Sequence, residues 1–280
     1  DMYRIGASSC GAPINEELMQ DYAAHHVTEM EISEHYYTDY DYRAVKAWAD
    51  RSGVHLWSLH LPFWGEDLSA TDAAARARTV QTHAEIIRRG AEIGVDKFVV
   101  HPSGEPITDE ERPDRMKRAQ ESLAALAEVG GECGAQICVE DLPRSCLSNS
   151  FANIQTLLRA DARLKVCFDT NHITTEAPES LIRKLGSSIV TLHVSDFDFF
   201  NERHWLPGEG KVDWPAVLAA LREVNYSGVW MYEVGFDCPK TIYRDRRLNC
   251  GDFYRNAHEL FEGKRPTVFS RPKPNLGMWE

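Results

Sequence analysis

In the heptapeptide VCFDTNH, residues 166–172, an apolar run stops at Asp169 and an imidazole, His172, follows three residues later. The arrangement recurs along the chain. VHLWSLHLPF (54–63) carries His60, KFVVHPSG (97–104) carries His101, and AQICVEDL (135–142) reaches Glu140 and Asp141. IVTLHVSD (189–196) carries His193 and Asp196, and GVWMYEV (228–234) carries Glu233. Taken alone, each has an ordinary explanation: a strand-end histidine is commonly a hydrogen-bonded structural residue, and a strand-end acid commonly caps the next helix. Chance covers one or two such residues but explains six successive runs badly, because a charge at the end of an apolar strand is costly to desolvate unless it is paired or binds a metal. Drawn together, Glu140, Asp169, His193 and Glu233 would form an oxygen-rich site for one divalent cation: Mn²⁺, Mg²⁺, Co²⁺ or Zn²⁺. Ligand type alone does not choose among these ions.

Convergence requires a fold that gathers strand ends. Two further β-rich runs, 3–9 and 27–33, bring the count to eight, and most are nearly continuous in apolar residues, as strands of a buried parallel sheet are. Helical patterns fill the gaps at 15–25, 42–53, 72–94, 112–134, 151–161, 178–186, 214–226 and 252–263. Gly53, Gly94, Gly134 and Gly186 stand where helix C-termini would fall, and Asp213 stands as an N-cap before WPAVLAAL. This alternation predicts a single α/β domain, a (β/α)₈ TIM barrel over residues 1–263, whose active site lies at the C-terminal ends of the strands. A doubly wound open sheet is the rival, but GASSCGAP is a weak version of its glycine-rich turn. Residues 264–280 read as an extension crossing the surface, with contact to a neighbouring subunit of a homo-oligomer as the other option.

The bulk numbers fit a soluble globular protein. Of 280 residues, 43% are hydrophobic and 26% charged, and the formal net charge of −12 argues against a nucleic-acid partner. Seven scattered cysteines without a CxxC pair predict free thiols in a reducing, cytoplasmic setting. Neither a signal peptide nor a membrane-spanning run is apparent, so no membrane partner is expected.

These motifs resemble the xylose-isomerase-like barrels, the sugar phosphate isomerase/epimerase group. The resemblance is carried by HLPF (60–63), VVHPSG (99–104), CVEDL (138–142), CFDTNH (167–172), LHVSD (192–196), RHWLPGEGKVDW (203–214) and YEV (232–234), in that order. It implies one metal held by Glu140, Asp169, His193 and Glu233, and proton transfer through an enediolate by Glu140 and Glu233 on opposite faces of a ketose, aldose or polyol-derived ketone. It also implies that His172 and Arg203 reach substrate oxygens and that His60 lines the pocket. In PGEG (207–210), a tight turn is the favoured reading; the other is a loop folding over a sugar, with Trp205 as a stacking wall. Trp57, Phe63, Trp64 and Phe168 are further aromatic candidates. Arg203, Lys211 and Lys240 form no clear phosphate nest, so an unphosphorylated sugar is expected.

The same superfamily includes endonuclease IV-type AP endonucleases, which hold three zinc ions. His60, His101, Glu140, Asp169, His172, His193, His204 and Glu233 match that set, with Glu202 where the group has Asp. The acidic charge and the lack of a basic or aromatic wedge for bending a duplex stand against that reading. A barrel that binds sugars without turnover is a third possibility, but would leave Glu140 and Glu233 unexplained.

Overall fold

The computed structural model describes residues 2–33 and 41–278, so Asp1 and the last two residues of the expected extension, Trp279 and Glu280, lie outside it. Eight parallel strands form the main sheet: β1 (Ile5–Ser8), β2 (Glu29–Ile32), β3 (His55–His60), β4 (Lys97–Val100), β5 (Gln136–Glu140), β6 (Lys165–Asp169), β7 (Ile189–His193) and β8 (Trp230–Tyr232). They alternate with α1 (Glu16–Ala24), α2 (Tyr42–Ser52), α3 (Ala73–Glu92), α4 (Arg112–Glu132), α5 (Phe151–Leu158), α6 (Pro178–Leu185), α7 (Trp214–Glu223) and α8 (Cys250–Phe261). The sheet runs from β7 through β1 to β8. It closes where Val194 N donates to Met231 O at 2.8 Å and Glu233 N donates to Val194 O at 3.0 Å. The (β/α)₈ barrel expected from the sequence is the observed fold.

Local signals set the element ends. Asp213 caps α7 by accepting from Ala216 N at 3.0 Å, and Gly53 ends α2 in the left-handed region at φ 68°. Among the described residues no helix is long and apolar enough to cross a membrane. All seven cysteines are free.

Strand alternation divides the core into two. Residues such as Leu59, Phe98, Val139 and Phe168 face the helices in one large apolar cluster. A separate small cluster, Val99, Cys138 and Cys167, lines the barrel axis. Because side chains on one face recur every second residue, His101 follows Val99 inward, Glu140 follows Cys138, Asp169 follows Cys167, and His193 follows Thr191. Small inward residues in mid-barrel therefore underlie polar ones at the C-terminal mouth.

Two features of the mouth were not evident in the sequence. The segment after β8 contains β9 (Ile242–Arg244), which pairs antiparallel with β10 (Ser270–Pro272) in the tail. The tail then reaches the loop after β7: Arg203 Nη2 donates to Gly277 O at 3.0 Å, and the Asn201 side chain donates to Met278 O.

The loop itself is pinned by Asp196, whose carboxylate accepts from Phe197 N (2.8 Å), Gly208 N (2.8 Å), Val212 N (3.1 Å) and Trp214 Nε1 (3.0 Å). PGEG is thus a structural turn, and Asp196 its organiser. A Cβ at Gly210 would lie 2.3 Å from Asp196 Oδ1 and 2.4 Å from Phe197 O. Gly210→Ala is therefore expected to lower stability by ~1–3 kcal/mol, the usual range for overpacking, read as a lower urea midpoint at unchanged slope. A wild-type midpoint would mean that the loop gives way without cost.

Candidate metal and active site

Glu140, Asp169 and His193 are the last residues of β5, β6 and β7, and Glu233 is the first after β8. One donor atom from each lies within 4.8 Å of all the others. His193 Nδ1 is 2.9 Å from Glu140 Oε1, 3.3 Å from Glu233 Oε2 and 3.7 Å from Asp169 Oδ2. The Asp169 carboxylate is held by its other oxygen, which accepts from Asn171 N at 2.7 Å. Asp169 Oδ2 and Glu233 Oε2 are buried with no hydrogen-bond partner. Buried acceptors without donors are costly, and carboxylates converging on one point repel. A divalent cation would satisfy both oxygens and neutralise the repulsion, so the residues present fit the expected ion.

The titration behaviour of the two glutamates differs. Burial pushes Glu140 up, but the His193 and His101 imidazoles outweigh it and hold the carboxyl well below its usual range. Glu233 is pushed up to about 7 by burial, with the Glu140 and Asp169 charges adding to the rise and His193 opposing it.

Two more groups of potential ligands flank the first. His60 Nε2 and His101 Nε2 approach Glu140 Oε2 at 3.2 and 2.9 Å. His172 Nε2 and His204 Nε2 approach Glu202 Oε2 at 3.0 and 3.2 Å. Each set could hold an ion. His60 Nδ1 bonds the Leu61 carbonyl at 2.7 Å, and His172 Nδ1 bonds the Asp141 carbonyl at 2.8 Å. A carbonyl can only accept, so in both rings Nδ1 carries the hydrogen and Nε2 faces the carboxylate. Ligand histidines are commonly anchored in this way.

Eight of the ten residues expected at the site, His60, His101, Glu140, Asp169, His172, His193, His204 and Glu233, come together in these groups. Arg203 and Trp205 are directed elsewhere. The Arg203 guanidinium bonds Asp198 at 3.0 Å and the tail carbonyl of Gly277, and the Trp205 indole, 1% exposed, donates to Thr241 Oγ1 at 2.9 Å. His204 between them has φ 54°, and this left-handed turn sends its ring inward while its neighbours' side chains go to the tail and the core. Of the aromatics, Trp57 and Phe168 are core, whereas Phe63 stacks on His101 at 4.5 Å and Trp64 beside it is 76% exposed.

Two residues at the mouth escaped the sequence reading. Glu31 of β2 bonds His193, and Arg144 donates to Glu202 Oε1 at 2.7 Å. The signal for Glu31 was present, an acid near the end of a β-rich run, but Arg144 had none.

Known proteins agree with this architecture. A D-psicose 3-epimerase of Agrobacterium fabrum is 25% identical over 237 residues, 81% of this chain and 78% of its own. Another from Ruminiclostridium cellulolyticum is 25% identical over 204 residues, 69% of this chain and 68% of its own. The crystal structure of a D-tagatose 3-epimerase-like protein superposes with a TM-score of 0.81 at 22% identity, covering 92% of this chain and 97% of that one. The profile of the xylose isomerase-like TIM barrel family matches residues 21–247, and the chain belongs to that family.

Proposed function

We propose that the protein is a divalent-metal-dependent sugar isomerase or epimerase, acting on a ketose, aldose or polyol-derived ketone by proton transfer. The observation that carries this is the group of Glu140, Asp169, His193 and Glu233, with two buried oxygens lacking donors. The named activities of the relatives support the substrate class. A divalent ion in this group would supply positive charge to a substrate oxygen and so acidify the adjacent C–H.

The chain's own residues would move the proton. β6 and β7 separate β5 from β8 in the sheet, so Glu140 and Glu233 approach the axis from different directions. Two carboxyls facing a bound sugar from different sides can divide the roles of base and acid, one taking the proton and the other returning it. His172, whose Nε2 faces Glu202, would reach substrate oxygens from that side of the mouth, and Phe63 and Trp64 offer an apolar wall at the mouth. On this reading the partner is a small sugar, with neither nucleic acid nor membrane, and the free thiols suit the cytoplasm.

The test is turnover of a panel of free ketoses in D₂O. Deuterium should enter at the carbon next to the carbonyl of an accepted ketose. Turnover without it would point to a hydride shift and remove the proton-transfer role from both glutamates.

The two flanking groups, with anchored imidazoles in His60 and His172, favour one second reading: a multi-zinc phosphodiesterase of the AP endonuclease type. The net charge of −12 opposes it. Purified protein is expected to leave abasic-site DNA intact at all physiological salt concentrations, and efficient incision would replace the epimerase reading with this one.

A further inference from the structure

We propose that Glu31 is a positioning residue that fixes the tautomer and aim of His193, so that Nδ1 is presented to Glu140, Asp169 and Glu233. The inference rests on the reading of those four residues as a metal site, and extends it to a strand on the far side of the barrel.

Glu31 Oε1 lies 2.8 Å from His193 Nε2, and Glu31 Oε2 accepts from Ser58 Oγ at 2.7 Å. Both Glu31 and His193 are completely buried. Glu31 Oε2 already accepts from the Ser58 hydroxyl, so Glu31 meets the ring as an acceptor through Oε1 and draws the ring hydrogen to Nε2. When a cation occupies the mouth, Nδ1 is then the nitrogen with a lone pair to give.

A second contact fixes the ring plane. The His60 ring stacks on His193 with centroids 5.7 Å apart and planes 10° from parallel. Glu31 determines which nitrogen points where within that plane. A flipped ring would leave the buried Glu31 oxygen without its donor, which is costly in a site closed to water. Ser58 is part of the device: the β2–β3 register shifts between Met30, opposite Leu56, and Glu31, opposite Ser58, and so brings the hydroxyl to the carboxylate.

The plainer alternative is that Glu31 merely neutralises a buried imidazolium and contributes to stability alone. Metal affinity separates the two. Full-length protein stripped with chelator is titrated with Co²⁺, following the ligand-field absorption as well as the free-ion concentration. Glu31→Ala should weaken Co²⁺ binding ~10–100-fold, the usual cost of losing a group that orients a ligand histidine, and should shift the absorption bands. Glu31→Gln can still accept from Nε2–H through its amide oxygen and should recover most of the affinity. Ser58→Ala serves if Glu31→Ala does not fold, and should weaken binding in the same direction by less. Asp169→Asn separates this proposal from the reading beneath it. If the wild type takes up no Co²⁺, or binds it no more tightly than Asp169→Asn, the metal reading itself fails. If Asp169→Asn loses binding while Glu31→Ala, or Ser58→Ala in its place, keeps wild-type affinity and spectrum, the positioning role alone is overturned.

Discussion

Replacing Glu233 with Gln is expected to lower turnover of an accepted ketose by at least ~10²-fold, as loss of a general acid or base typically does. Gln keeps the size of the side chain and an oxygen to offer a cation, but cannot exchange a proton near neutral pH. The loss should therefore fall on kcat, with KM changed only a few-fold. Glu140→Gln should be at least as damaging, and on more counts. Glu140 Oε1 faces His193 Nδ1, and Glu140 Oε2 faces His60 Nε2 and His101 Nε2. An amide there turns an N–H towards one of these imidazoles, so metal binding should weaken along with turnover. Steady-state kinetics with deuterium incorporation measured in parallel checks both variants. If Glu233→Gln turned over within a few-fold of wild type, Glu233 would be reduced to a ligand and the partner of Glu140 in proton transfer would have to be sought elsewhere.

The strands were legible because both of their faces are apolar for most of their length. In KFVVH, Phe98 and Val100 pack outward while Val99 packs on the axis, and the run breaks only at His101. Their ends were less legible. The run 54–63 overshoots β3, which stops at His60: Leu61 is buried and still donates to Val99 O at 2.8 Å, but the paired register ends at His60 opposite Val99. The β9–β10 pair left no signal: its strands have three residues each, too short for any period to show, and α8 lies between them in the chain.

The same physics explains which candidate site residues stood out. Glu140, Asp169, His193 and Glu233 interrupt apolar runs and so stand out. Glu31 does not interrupt anything; with Glu29 it alternates through VTEMEIS, the pattern of a half-exposed strand whose acids face water. The structure inverts it: Met30 and Ile32 face the helices, and both glutamates are buried on the axis with partners. Alternation says which residues share a face and leaves open which face is inside. Arg203, expected from the resemblance, and Trp205, expected as a stacking wall of the PGEG loop, are directed elsewhere for a different reason: the left-handed residue between them sends the His204 ring inward and their side chains to the tail and the core.

Thorough chelation is expected to abolish activity, Mn²⁺ or Co²⁺ to restore it, and elemental analysis after exhaustive dialysis to find one divalent ion per chain. The three candidate groups are not equivalent hosts. The first brings together three carboxylates and one imidazole at the ends of the last four barrel strands, so a divalent ion there relieves the most repulsion. The second has a single carboxylate oxygen, Glu140 Oε2, from a residue already committed to the first. In the third, the other oxygen of Glu202 is bound by the Arg144 guanidinium, whose charge opposes a further cation, and His204 is more exposed than any ligand of the first group. Affinity should therefore fall in that order, with only the first site surviving dialysis. Since an ion bound only by the folded chain stabilises it by RT ln(1 + [L]/Kd), about 2.7 kcal/mol at a hundred times Kd, chelation should also lower Tm, and Mn²⁺ should restore it. Tm in Glu202→Gln should respond to chelation as the wild type does, because Glu202 belongs to the third group alone. Two or three tightly held zinc ions, with a Tm that depends on Glu202, would mean that all three groups are filled together and would shift the reading from proton transfer on a sugar to phosphodiester hydrolysis.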